Sequence, residues 1–173
     1  MPTPPFIIID GYNLLHTIGS RRSLGARGNL QRARMELAGH IAARMNPDQC
    51  ERTTIVFDAL APSNDLPDSS THQGITVLFS RGFPDADSMI EYLLQKHSAP
   101  KKVIVVSNDR RVQTAATRRR AAFVDCESWY ESLAKASSEA DSMETGDSAE
   151  IDRKEIASPD ERQAWLREFG YDP

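Results

Sequence analysis

Short apolar runs punctuate the chain, and the polar residues that end them are as telling as the runs themselves. Phe6-Ile7-Ile8-Ile9 leads into Asp10, Thr53-Thr54-Ile55-Val56-Phe57 into Asp58, and Lys102 to Val106 into Ser107-Asn108-Asp109. Ile75 to Phe79 makes another such run, and Ala122-Phe123-Val124 a short edge strand. Unbroken β-branched stretches of this length are characteristic of strands buried on both faces of a parallel sheet. Between them the apolar spacing becomes helical. Leu30, Ala33, Leu37, Ile41 and Met45 follow a capping Asn29 and stop at Asn46-Pro47. Met89, Ile90, Leu93, Leu94 and His97 follow a capping Asp85, a basic helix covers about 110–119, and a last helix starts near Glu127 with Trp129, Tyr130 and Leu133. The stretch Gly19 to Gly28 reads as a flexible loop, and a Pro/Ser/Asp-rich loop follows Asp58. Strands alternating with helices predict an α/β domain over 1–135. Residues 136–160, rich in Ser, Glu and Asp, read as an acidic disordered linker. A short amphipathic helix, Ala164 to Phe169, lies within a final segment 161–173. No internal repeat is visible.

Charge sharpens this division. The net charge of −4 over 173 residues averages two unlike parts. Residues 1–130 hold 16 Lys and Arg against 13 Asp and Glu, whereas residues 131–173 hold 5 against 12. Of the 21 basic residues 16 are Arg, the side chain suited to gripping flat phosphate or carboxylate groups. No apolar run reaches the roughly 20 residues of a membrane helix. The N-terminus lacks the basic start of a signal peptide. Cys50 and Cys126 suggest neither a zinc site nor a disulfide framework. The expected compartment is a reducing cytoplasm.

The chemistry lies in where the acids fall. Ligands of a parallel α/β sheet bind beyond the carboxyl ends of its strands. Asp10, Asp58 and Asp109 each follow a strand, and Asp87 sits in the first turn of the helix after the third. Any one of them has a plainer reading as a turn residue or helix cap, Asp58 most of all. Together at one edge they would repel unless a cation compensated them. Oxygen donors with water in the remaining positions suit Mg²⁺ or Mn²⁺, ions that activate water for attack on a phosphodiester. Other chemistries lack their parts. There is no dinucleotide or P-loop glycine pattern, no nucleophile elbow, and no zinc spacing among His16, His40, His72 and His97. His40 and His97 read as packing or surface residues.

The pieces Ile-Ile-Ile-Asp10-Gly11-Tyr12-Asn13, Val-Phe-Asp58-Ala, Ala86-Asp87-Ser-Met-Ile-Glu91 and Val-Val-Ser107-Asn108-Asp109 resemble, in order, the NYN domain of the PIN-like nuclease superfamily, in its YacP-like branch. The resemblance spans residue 6 to about 135. It implies a PIN-like three-layer sandwich around a mainly parallel sheet and a metal-dependent endoribonuclease, in a branch associated with ribosomes and translated messenger RNA. Carried over, Asp10, Asp87 and Asp109 would hold Mg²⁺ or Mn²⁺, Asp58 would support them, and Asn13 would orient Asp10 or a metal-bound water. Glu91, one turn after Asp87, would face the same site or solvent. The linker and terminal helix depart from the pattern.

A nuclease must also hold a polyanion. Arg21, Arg22 and Arg27 in the expected glycine-rich loop, and Arg110 and Arg111 after Asp109, are the candidate phosphate ligands. Arg118-Arg119-Arg120 at a helix end has a plainer explanation in dipole complementarity. Tyr12 is placed either to stack on an unpaired base or to pack beneath the loop. Trp129 and Tyr130 read as core. Two rivals share the fold: a non-catalytic RNA- or ribosome-binding module, and a toxin-type nuclease acting on transfer RNA.

Overall fold

A computed structural model describes residues 3–22, 30–59 and 68–144. Strands β1 (Phe6–Asp10), β2 (Thr53–Phe57), β3 (Ser69–His72), β4 (Ile75–Phe79), β5 (Val103–Val106) and β6 (Ala122–Val124) form one sheet in the order β3-β4-β2-β1-β5-β6. All neighbouring pairs are parallel except β3 with β4. The helices are α1 (Gly11–Arg22), α2 (Leu30–Ala42), α3 (Pro47–Glu51), α4 (Ala86–Lys96), α5 (Arg110–Arg118) and α6 (Cys126–Glu144). None of the described helices is long and apolar enough to cross a membrane.

Alternation along the strands builds the three layers. Ile7, Ile9, Ile55, Phe57 and Val106 point to one face, where Leu14 and Ile18 of α1, Leu37 and Ile41 of α2, and Trp129 and Leu133 of α6 cover them. Ile8, Val56, Val103 and Val105 point to the other, against Ile90 and Leu94 of α4 and Val112 and Ala116 of α5. The central strands are thus apolar on both sides because both sides are roofed by helices. Trp129 belongs to the core, as expected. His40 and Tyr130 join α2 to α6, with His40 Nε2 2.7 Å from the Tyr130 hydroxyl and the rings stacked.

The structure differs from the sequence expectation in four places. Gly19 to Arg22 complete α1 rather than open a loop, because Leu14, Leu15 and Ile18 bury one side of that helix and carry the weak formers Gly19 and Ser20 with it. Asn46-Pro47 ends one helix and starts another: Asn46 caps α3 through a reciprocal pair of hydrogen bonds with Gln49. The polar edge strand β3 pairs with β4 through a tight turn at Gln73-Gly74, both at positive φ. Finally, α6 continues past 135 to Glu144, so the start of the expected linker is helical. The rest of 136–160 and the terminal segment 161–173 lie outside the described residues.

Gly11 shows how tightly β1 turns into α1. A Cβ there would lie 2.5 Å from the Phe57 ring, which is itself fully buried. Gly11→Ala is expected to cost about 1–3 kcal/mol through overpacking, read as a lowered midpoint of chemical unfolding.

Candidate active site

The C-terminal ends of β1, β2 and β5 lie side by side, and helices leave two of them with almost no loop. Asp10 ends β1, and its Oδ1 accepts the Asn13 backbone N–H in the first turn of α1 at 3.3 Å. Asp109 caps α5, its Oδ1 accepting the Arg111 backbone N–H at 2.7 Å. Asp85 caps α4 through Ser88 N–H at 2.7 Å, as the sequence predicts. Asp87 lies two residues on, in the first turn of α4. The capping reading and the site reading are therefore not rivals here. Helix N-termini favour negative charge, so the same geometry that starts the helices gathers the acids.

That gathering has an electrostatic cost. Asp10 is 6% exposed, and burial raises its pKa above the usual carboxylate range. Hydrogen bonds from Asn13 and Ser107 pull it down, and the charges of Asp109 and Asp58 push it up again. Asp87 is raised to about 6, first by burial and then by Asp109, Asp10 and Asp85, against an opposing pull from Arg111. Mutual repulsion among oxygen donors fits a hard divalent cation. Among the described residues no three His, Cys, Asp or Glu side chains form a ready-made cage. Oxygen donors of this kind suit a hard ion that keeps much of its own water.

Ser107 links the acids and was given no role from sequence. Fully buried, its hydroxyl donates to Asp10 Oδ2 at 3.0 Å and accepts the Asp109 backbone N–H at 3.0 Å. Ser80 does the same for Asp58: its hydroxyl donates to Asp58 Oδ1 at 2.9 Å and accepts Ala59 N–H at 3.0 Å. Asn13 is engaged elsewhere. Its Oδ1 accepts Asn108 N–H at 2.9 Å and the Cys126 thiol at 3.3 Å, while Asn108 Oδ1 accepts Cys126 N–H at 2.7 Å. Asn13 thus steadies Asp10 by its backbone and the β5–α5 loop by its side chain. The Cys126 thiol is pushed up to about 12 by burial and by Asp10, which keeps it protonated.

Two candidate RNA contacts are committed within the protein. Tyr12 is turned inward: its ring meets Phe57 edge-on, and its hydroxyl accepts two donors from Arg34. Arg34, 3% exposed, lies over Tyr12, Phe57 and Phe79, an arrangement that cation–π attraction favours. A free stacking platform at Tyr12 is therefore corrected to a core contact. Arg111 bridges α4 and α5, with Nε 2.7 Å from Glu91 Oε1, Nη1 3.1 Å from Asp85 Oδ2 and Nη2 3.0 Å from Ser88 Oγ. Glu91 consequently faces Arg111, and a phosphate would have to compete for that guanidinium. Arg110 is exposed at the start of α5. Arg21 and Arg22 lie in the last turn of α1, and Arg27 lies outside the described residues.

A six-stranded, mainly parallel sheet between helical layers, with carboxylates gathered at its C-terminal edge, defines the PIN-like α/β class. Within that class the chain belongs to the YacP-like NYN domain family, whose model matches residues 7–168, and NYN domains make up a nuclease superfamily. The match takes in residues 136–160 and the final segment as far as 168. The crystal structure of Rae1 (YacP) from Bacillus subtilis is similar in fold, at 22% identity and a TM-score of 0.61, covering 80% of this chain and 78% of that one. A tryptophan-to-leucine mutant of the same protein gives 21% and 0.61, with 79% of each chain covered. No curated protein matches the chain.

Proposed function

We propose that the chain is a Mg²⁺- or Mn²⁺-dependent endoribonuclease that cuts single-stranded RNA in the cytoplasm, with messenger RNA on ribosomes as its setting. The observation that carries this reading is the held cluster of Asp10, Asp87 and Asp109 at the sheet edge. Two of these acids, Asp10 and Asp87, are disfavoured as anions by burial and by neighbouring carboxylates, an arrangement that a nuclease-family chain would use to bind a cation. Asp10, Asp87 and Asp109 would hold the ion, with Asp58 beside them. When bound, the ion supplies charge neutralisation at the scissile phosphate and lowers the pKa of water.

The chain's own groups do the positioning. Ser107 and the Asn13 backbone fix both oxygens of Asp10, and the Asn13 side chain holds the loop that presents Asp109. Arg111 anchors α4, and with it Asp87, against α5. Phosphates flanking the cut would meet Arg110, and Arg21 and Arg22, roughly 15 Å along α1 from its start, would with Arg27 meet phosphates further along the strand. The test is incubation of labelled single-stranded RNA with and without Mn²⁺. Cleavage by the parent in Mn²⁺ only, and none by Asp109→Asn, is the expected result. RNA bound but left intact in Mn²⁺ would make the chain a binding module, and cleavage restricted to transfer RNA would make it a toxin-type enzyme.

A further inference from the structure

Beside the carboxylates, α4 and α5 leave a groove of about 380 Å³ lined by Glu91 and Gln95 on one side and by Arg110, Arg111, Thr114, Arg118 and Arg119 on the other. The α5 residues recur one helical turn apart, so they face the groove as a continuous stripe. Both ends of the groove are fastened. At the end near the site Arg111 ties α5 to Glu91, Asp85 and Ser88. At the far end Arg119 donates to the last carbonyls of α4, Leu94 O at 3.2 Å and Gln95 O at 3.1 Å. The walls are therefore set before anything binds. The single acid on them, Glu91, is already neutralised by Arg111.

Two cations in this frame are not used to build it. Arg110 and Arg118 are exposed, and among the described residues neither pairs with a carboxylate. They stand two turns apart on α5, roughly 12 Å along its axis. The groove adjoins the acids through Arg111, which lines it and whose Nη1 is 4.0 Å from Asp87 Oδ2. We infer that the α4–α5 groove is a phosphate track for the single RNA strand as it leaves the carboxylates, with Arg110 and Arg118 as its backbone contacts. This rests on the reading of the chain as acting on RNA and adds to it the side on which the strand lies. Side chains held by α4 act as walls, and the two free guanidinium groups supply the charge that a polyanion neutralises.

The test is binding of labelled single-stranded RNA by the full chain in chelator, across a salt series. Parent, Arg110→Ala/Arg118→Ala and a control, Lys101→Ala/Lys102→Ala, are compared. The control residues are exposed ahead of β5, at the opposite end of that strand from Asp109. The arginine pair should bind roughly tenfold more weakly at low salt. Its plot of log affinity against log salt should be shallower by about 1.4, because each single-strand phosphate contact contributes about 0.7. The control should follow the parent. A parental slope in the arginine variant overturns the inference, and so does an equal loss in the lysine variant, which would mean undirected attraction. Tighter binding by the arginine variant also overturns it. If the arginine variant loses affinity while the parent fails to cut RNA in Mn²⁺, the track stands and the nuclease reading falls. If the parent binds no RNA, both fall.

Discussion

Asp87→Asn is expected to reduce RNA cleavage in Mn²⁺ by a factor on the order of 100–1,000, and at the same time to make the metal-free protein more stable above about pH 6. The two effects have one cause. Burial and the neighbouring carboxylates push Asp87 up to about 6 in the folded chain, from an ordinary 3.8, so folding disfavours its charged form. Between those values the folded state holds more protons than the unfolded one, and stability falls as pH rises through that window. Below it the penalty vanishes; above it the penalty is complete. One pKa unit corresponds to about 1.4 kcal/mol. Because 26% of the side chain remains exposed, solvent screening reduces the gain from Asn to ~1–2 kcal/mol. Thermal unfolding of parent and variant in chelator, at about pH 4 and about pH 8, measures this: the difference should be complete at the higher pH and mostly gone at the lower. A variant that is less stable at both would make Asp87 a structural residue.

Its neighbours should respond differently. Asp10 uses both carboxylate oxygens as acceptors, for Asn13 N–H and for the Ser107 hydroxyl. An asparagine offers one acceptor oxygen and would turn an NH₂ toward the other donor, so Asp10→Asn offsets relief of repulsion with a broken hydrogen bond. Asp109 caps α5 through Oδ1 alone, and asparagine caps a helix about as well as aspartate. The removal of like charge therefore shows most cleanly at Asp87.

The contrast marks what was legible in the sequence. The parallel strands were visible because each is apolar on both faces and stops at a polar residue, and the acids were visible for the same reason. Asp85 as the cap of α4 follows from its place before an apolar stripe. What escaped notice depends on partners far away in the chain. Ser69 to His72 carry no apolar pattern and become a strand only because β4 offers them an edge. Tyr12 faces inward because Arg34, 22 residues on, meets its hydroxyl. Arg111 resembles a phosphate ligand until Glu91 and Asp85 are folded against it. Ser107 lies inside the Ser-Asn-Asp motif, where the aspartate is the group that sequence alone marks for chemistry. A serine after a strand is commonplace in turns, and only the fold shows its hydroxyl between two acids.

That hydroxyl is the subject of the second large effect. Ser107→Ala removes the donor to Asp10 Oδ2 and the acceptor for Asp109 N–H together. The group is fully buried, so water cannot replace either bond, and a stability loss of about 1–3 kcal/mol is expected. A merely structural serine would produce only that. A positioning serine must also move the chemistry, because its hydrogen bond is one of the two that pull the Asp10 pKa down. Without it Asp10 holds its proton to higher pH. The acid limb of the pH–rate profile, where activity rises as carboxylates ionise, should therefore shift to higher pH. Mn²⁺ affinity should weaken roughly 10- to 100-fold, the usual cost of removing a group that orients a metal ligand. Cleavage rates across pH at saturating Mn²⁺, with Mn²⁺ titrations of the folded variant, separate the two roles. An unmoved acid limb and unchanged Mn²⁺ affinity, despite lowered stability, would leave Ser107 a packing residue and Asp10 fixed by the backbone of Asn13 alone.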